Sequence, residues 1–232
     1  MPETIHLHPT GPLAERVLLP GDPGRALRLA QEMLDEPKMF NHNRGLWGYT
    51  GTAHDGVPLT IQSTGMGGPS MAIVAAELID LGARRLVRAG TCAALDPALE
   101  LGRLLVATHA ISDDGASRAL GAGEHVASSP SLLAGLLEAC DSTVASGPVV
   151  STDLFYDRDD RRAEWRAEGA LAVELEAATL FALAERRDVE AGCVLAVTDQ
   201  LAGEHVRIDL EALHEAEIHL GQLGLAGFIL AA

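Results

Sequence analysis

The stretch "VLLPGDPGRALRLAQ", residues 17–31, sets the fold class. Val17, Leu18 and Leu19 form an apolar run, Gly21 turns the chain, and Ala26, Leu29, Ala30 and Met33 then recur at helical spacing along one face. Strand, tight turn and helix in that order are the building unit of an α/β protein. Asp22 predicts an N-cap and Pro23 a first helical residue, which puts Arg25 in the first turn. A cation there opposes the helix dipole unless an anion shares the terminus. Arg25 is therefore either an exposed residue of an ordinary strand-to-helix turn or half of an anion site.

The same alternation continues outward. Apolar runs at 16–19, 59–63, 85–89, 104–108, 149–151, 171–173 and 193–197 predict strands. "SMAIVAAELIDLG" (70–82) predicts a helix stopped by Gly82, "EAATLFALAERR" (176–187) a helix with arginines in its last turn, and residues 209–232 a closing helix. Residues 109–130 lack periodicity and predict a long irregular loop. No repeat or linker divides the 232 residues, so one α/β domain spanning 1–232 is expected.

Composition limits the partners. The formal net charge is −16, which opposes electrostatic attraction to nucleic acid or an anionic membrane. An anionic substrate would have to be gathered locally by a few arginines. Aromatic residues make up 3% of the chain against 47% hydrophobic, so the core should be aliphatic. Cys92, Cys140 and Cys193 are odd in number and lack metal-ligand spacing, which predicts neither a disulfide framework nor a metal site. With no signal peptide or membrane span legible, a soluble cytoplasmic protein is expected.

Four further segments carry possible chemistry. In "LVRAGTCAAL" (86–95), Arg88 ends an apolar strand, where a charge needs a partner: a structural carboxylate, or a phosphate held with Thr91. "STGMGGPSMAIV" (63–74) is a glycine-rich bend without P-loop spacing, so it indicates close backbone approach. In "LAVELEAATLFA" (171–182), Glu174 and Glu176 sit where a strand enters a helix. Either could bind a sugar diol, or both could be ordinary acids at a helix N-terminus. In "VLAVTDQ" (194–200), Thr198 and Asp199 end a buried strand, where ligands of α/β proteins gather. Asp199 is a candidate proton donor or acceptor, or a cap for the next segment.

Taken in order, "PGDPGR" (20–25), "NRG" (43–45), "STGMGGPS" (63–70), "RAGTCAAL" (88–95), "STDLFY" (151–156), "VELEAATL" (173–180) and "VTDQ" (197–200) resemble the nucleoside phosphorylase-I family of purine nucleoside and uridine phosphorylases. The resemblance implies a mixed, partly closed central β-sheet flanked by helices. It also implies phosphorolysis of purine (deoxy)ribonucleosides to free base and (deoxy)ribose 1-phosphate, with inorganic phosphate as co-substrate and no cofactor or metal. Gly21, Arg25, Arg88 and Thr91 would bind phosphate, with Arg44 donated by a neighbouring subunit. Met66 and Glu176 would hold ribose, and His6, with His8 as a rival, would reach the 5′-hydroxyl across a dimer interface. Phe155, Val173, Glu174, Leu175 and Thr198 would complete the nucleoside pocket, with Leu175 replacing a methionine usual in the family. Asp199 would protonate N7 of the base. The implied assembly is a homohexamer, a trimer of dimers with shared sites.

Departures bear on the base. The arginine expected about a dozen residues after the acid is missing, and only Arg207, eight residues on, is available to assist Asp199. Ala93 replaces a common glycine. Uridine-type members carry Gln and Arg after "FY"; here Arg161 is present but Asp159 stands at the Gln position. A purine substrate is favoured and uridine phosphorylase is the alternative. A nucleosidase, which lacks the arginine cluster, and a non-catalytic nucleoside-binding protein are lesser ones.

Overall fold

A computed structural model describes residues 4–156 and 160–231. Strand β1 (Arg16–Leu19) leads through Gly21 into α1 (Pro23–Met33). Asp22 is extended and its carboxylate accepts the Arg25 N–H at 2.7 Å, while Ala26, Leu29, Ala30 and Met33 are all buried. Strands β2 (Leu34–Asn41), β3 (Gly48–Ala53) and β4 (Pro58–Gln62) follow as an antiparallel meander. Helix α2 (Gly68–Leu81) ends on Gly82 in the left-handed region, φ 119°, as a helix-terminating glycine does. The chain continues through β5 (Arg85–Ala94), β6 (Leu104–Asp113), α3 (Gly115–Ala119), β7 (His125–Ala127), α4 (Pro130–Glu138), β8 (Ala145–Thr152), α5 (Arg162–Ala167) and β9 (Ala172–Glu174). It closes with α6 (Ala177–Arg187), β10 (Glu190–Gln200), β11 (Val206–Arg207) and α7 (Leu210–Leu230).

The strands form one mixed sheet. Its open wing runs β2-β3-β4-β1-β5. Beyond β5 the sheet curls: β5 pairs with both β10 and β9, and β10-β6-β8-β9 completes a ring of five strands. This is the mixed, partly closed sheet that the family resemblance implies. Apolar side chains of α2 and α6 fill one side and those of α1, α4 and α7 the other. Strands β4, β1, β5 and β10 are mutually parallel, so their carboxyl ends emerge along one rim.

Residues 109–130 are not one irregular loop. Strand β6 runs on to Asp113, α3 follows, and β7 pairs back onto β6 with Ala110 opposite Val126. The register of β6 slips between Ala107 and Ala110, and that bulge breaks the two-residue alternation by which a strand is read. Strands β2 and β3 also lie outside the expected set. β2 sits at the sheet edge with five consecutive exposed residues and contains Pro37, so hydrophobic patterning carries no trace of it.

Candidate active site

The rim begins with two turns set back to back. The Thr64 N–H donates to Pro20 O at 2.9 Å and the Gly65 N–H to Gly21 O at 3.1 Å. A Cβ on Gly21 would lie 3.0 Å from Gly65 O, and Gly65 itself has φ 74°. Glycines at both places let the β1–α1 and β4–α2 turns touch, which brings two helix N-termini together.

Arg88 projects from β5 into the space beneath them. It is buried, and its guanidinium lies flat over Gly90, where a Cβ would be 2.5 Å from Cζ. Arg88 Nε donates to Glu174 at 2.9 Å, and its Nη2 is 2.5 Å from Glu176 Oε2. Arg88 does not end its strand, since β5 runs on to Ala94, and its buried charge has two carboxylates. Burial alone would lower the affinity of Arg88 for its proton, but Glu176 and Glu174 outweigh it and fix the cation.

The two glutamates separate in role. Glu174 accepts the N–H groups of Glu176 and Ala177 at 2.9 Å and the hydroxyl of Ser151, so it caps α6 and is fully occupied by protein. Burial pushes its carboxyl above the usual carboxylate range, Arg88 opposes that, and the Glu176 charge adds to it. Glu176 takes the Gly67 N–H at 2.5 Å on one oxygen and Arg88 on the other. Each of its oxygens keeps a further acceptor position, and Met66, next in sequence to Gly67, is exposed.

Arg25 is not the exposed arginine of an ordinary turn. It is buried, with Nε donating to Glu217 of α7 at 2.8 Å and Nη1 to Ala89 O at 3.3 Å. Arg28 reaches the other oxygen of the same carboxylate at 2.5 Å. Glu217 was not among the residues singled out from sequence. Its signal was an acid within the apolar face of a long helix, where an unpaired carboxylate is costly.

At the end of β10, Asp199 is buried and held on both oxygens. Thr198 Oγ1 donates to Oδ2 at 2.8 Å, and His205 Nε2 lies 2.8 Å from Oδ1. Arg207 stands directly across from Asp199 in the β10–β11 pairing, but it makes no hydrogen bond or ion pair with any described residue. The side chain on Asp199 is His205, which sequence reasoning passed over. Thr91 and Val173 lie nearby in the β5–β10 and β5–β9 pairings, opposite Ala196 and Ala93 respectively, and Leu175 follows β9 half-buried.

Other expected residues make no side-chain hydrogen bond or ion pair with this cluster among the described residues. His6, Arg44 and Met66, with Ser70 and Ile73, line a cleft of about 340 Å³. His6 Nδ1 is 2.7 Å from Glu77 of α2, and Arg44 has no hydrogen-bond or ion-pair partner among the described residues. His8 donates its backbone N–H to Asn41. Phe155 is exposed, packed edge-to-face on Tyr156. Arg161 is paired with Asp113 and stacks over Trp165, while Asp159 lies outside the described residues. Among the described residues no cluster of three or more His, Cys, Asp or Glu is arranged for a metal ion, and no helix is long and apolar enough to cross a membrane.

Fold and site together define an α/β protein with buried polar side chains gathered on parallel strands, arginines that suit an anion and carboxylates that suit hydroxyls or a proton. Residues 15–228 match the phosphorylase superfamily, and the chain belongs to it. It is 38% identical over 196 residues to a guanosine phosphorylase of Halorubrum lacusprofundi, covering 82% of this chain and 80% of that one. It is 37% identical over 199 residues to a DeoD-type purine nucleoside phosphorylase of Caldanaerobacter subterraneus, covering 82% and 85%. A crystal structure of uridine phosphorylase from Vibrio fischeri superposes with a TM-score of 0.84 at 27% identity, covering 94% and 92%.

Proposed function

We propose that this protein is a purine nucleoside phosphorylase, which converts purine (deoxy)ribonucleosides and inorganic phosphate to free base and pentose 1-phosphate. The observation that carries the reading is the placement of a buried carboxyl, Asp199, on the same rim as the Arg88–Glu176 pair. Phosphate would be gathered by Arg88, Arg25, Thr91 and the N–H groups around Gly21. The open acceptor positions of Glu176 would take the ribose hydroxyls, Glu174 would hold Arg88 and Glu176 in place, and Phe155, Val173, Leu175 and Thr198 would line the pocket for the base.

The chemistry follows the charges. As the bond from C1′ to the base breaks, its electron pair leaves with the base and the ribose becomes cationic. A phosphate oxygen then bonds to C1′, and its negative charge stabilises the ribose on the way. Asp199 would deliver a proton to N7 so that the base departs neutral. Arg44, unpaired among the described residues, and His6 would complete the pocket of a neighbouring subunit, in a trimer of dimers located in the cytoplasm. A fully active monomer in light scattering would overturn that assembly.

The test is a panel of inosine, adenosine, guanosine and uridine, each with and without phosphate. Phosphate-dependent cleavage of purines is expected, and equal cleavage in phosphate-free buffer would refute the reading. Asp199→Asn keeps the shape but cannot transfer a proton, so turnover on inosine should fall by roughly 10²–10⁴-fold. Uridine phosphorylase is the second reading, favoured by the Vibrio fischeri superposition; better wild-type cleavage of uridine, unaffected by Asp199→Asn, would establish it.

A further inference from the structure

Asp199 and His205 differ sharply in their access to water. The Asp199 residue is 8% exposed, whereas the His205 side chain in contact with it is 60% exposed. A buried carboxyl that gives up a proton in each turnover must be reloaded, and its own contact with solvent is slight. One oxygen accepts from Thr198 and the other meets the His205 ring at 2.8 Å. Imidazole is the side chain that takes up and releases protons near neutral pH.

The hairpin makes this contact a built one. Asp199 and Arg207 are directly opposed across β10 and β11, and His205, immediately before β11, meets the acid from the loop that joins the two strands. The arginine occupies the opposed position with no side-chain hydrogen bond or ion pair to any described residue, and the histidine makes the contact. Cys92 of β5 is buried and held protonated by that burial. Arg162 of α5 donates to Leu201 O in the loop and is itself paired with Asp160. Glu204 and Arg207 flank the ring in sequence.

We propose that His205 is the positioning and proton-loading partner of Asp199, in the role for which sequence reasoning looked to Arg207. The inference rests on the purine phosphorylase reading. Imidazolium at His205 passes its Nε2 proton to the Asp199 carboxylate, and the carboxyl passes a proton to N7 as the base leaves with the bonding electron pair. Asp199 returns to carboxylate, and the neutral ring, exposed at the surface, recovers its proton from water. An arginine could only hold the carboxylate, since it does not release its proton in this range; a histidine can also supply it.

The experiment compares wild type, His205→Gln and His205→Ala across pH 5 to 9, with phosphate varied up to saturation. The substrates are inosine and 7-methylguanosine, whose base leaves without N7 protonation. Glutamine keeps a hydrogen bond to Asp199 but carries no exchangeable charge. Expected are a fall of about 10- to 100-fold in kcat on inosine with little change in the phosphate KM, and a flattened pH profile near neutrality. Cleavage of 7-methylguanosine should be unchanged, and added imidazole should partly restore His205→Ala. If His205→Gln matches wild type in rate and profile, or slows both nucleosides equally, the proposal is overturned. Wild type that cleaves only uridine, or purines without phosphate, overturns the functional reading first, and that result is visible before any variant is made.

Discussion

Arg25, in the first turn of α1, and Arg88, within β5, are both buried, yet their surroundings carry opposite charge. Around Glu217, two guanidiniums share one carboxylate. Around Arg88, one guanidinium is shared by two carboxylates. Asp22, 3.8 Å from Arg28, is largely exposed, so the buried part of the first group keeps an excess of positive charge and suits an anion. The second keeps an excess of negative charge and suits the hydrogen-bond donors of a sugar. A phosphate and a ribose lying side by side would meet this gradient in the right order, and burial sharpens it because the low dielectric leaves each imbalance unscreened.

The largest test of that contrast removes the minority partner at the richer site. Arg88→Ala leaves Glu174 and Glu176 buried together with no cation, and breaking such a pair costs about 3–5 kcal/mol. A large drop in Tm is expected, together with a raised phosphate KM and reduced turnover in whatever folded protein remains. Unchanged phosphate kinetics would show that Arg88 serves only to neutralise the glutamates.

Removing the minority partner at the other site should do less. Glu217→Gln keeps one hydrogen bond to Arg25, and Arg28 is partly exposed and can be hydrated. A loss of about 2 kcal/mol in denaturant unfolding is expected, with the phosphate KM moving less than for Arg88→Ala. An equal or larger kinetic effect would mean that the orientation of Arg25, more than the Arg88 charge, governs phosphate binding.

The smallest effect calibrates both. Arg16 and Asp55 form a one-to-one bidentate pair away from the rim, with Asp55 20% exposed. Asp55→Asn should cost roughly 0.5–1 kcal/mol. The hydrogen bonds from Arg16 hold the Asp55 carboxyl below its ordinary range. This contribution is therefore present above the unfolded Asp value of about 3.9 and is lost as pH falls through the lower folded value. The difference in denaturant midpoint between wild type and Asp55→Asn should vanish in strong acid. A difference that persists there would assign the effect to packing of the 55–58 turn.

Much of the fold was legible because local chemistry and tertiary environment agree there. Asp22, Pro23 and the Ala26/Leu29/Ala30/Met33 face mark α1, and each does in the structure what its type predicts. Gly82 stops α2 for the same reason. β2 and the β6 bulge escaped because an edge strand with exposed side chains and a slipped register erase the alternation that marks a strand. At the site, the requirement for a partner at Arg88 was legible from the cost of a buried charge. That the partners are Glu174 and Glu176 was not, since they lie 86 and 88 residues along the chain.

What the sequence determined by itself were the local elements and the residue types able to bind an anion, a diol and a proton, because caps, turns and helical faces depend on near neighbours. Tertiary structure alone decided who faces whom. The ring closed by β5, β10, β6, β8 and β9 brings Arg88 to Glu174, α7 folds back to set Glu217 against Arg25, and the β10–β11 hairpin turns His205 onto Asp199. Each of these pairings is a choice among many acids and bases of similar local character. Only the three-dimensional path of the backbone, fixed by burial of the two apolar cores, selects the partner that escapes water with it.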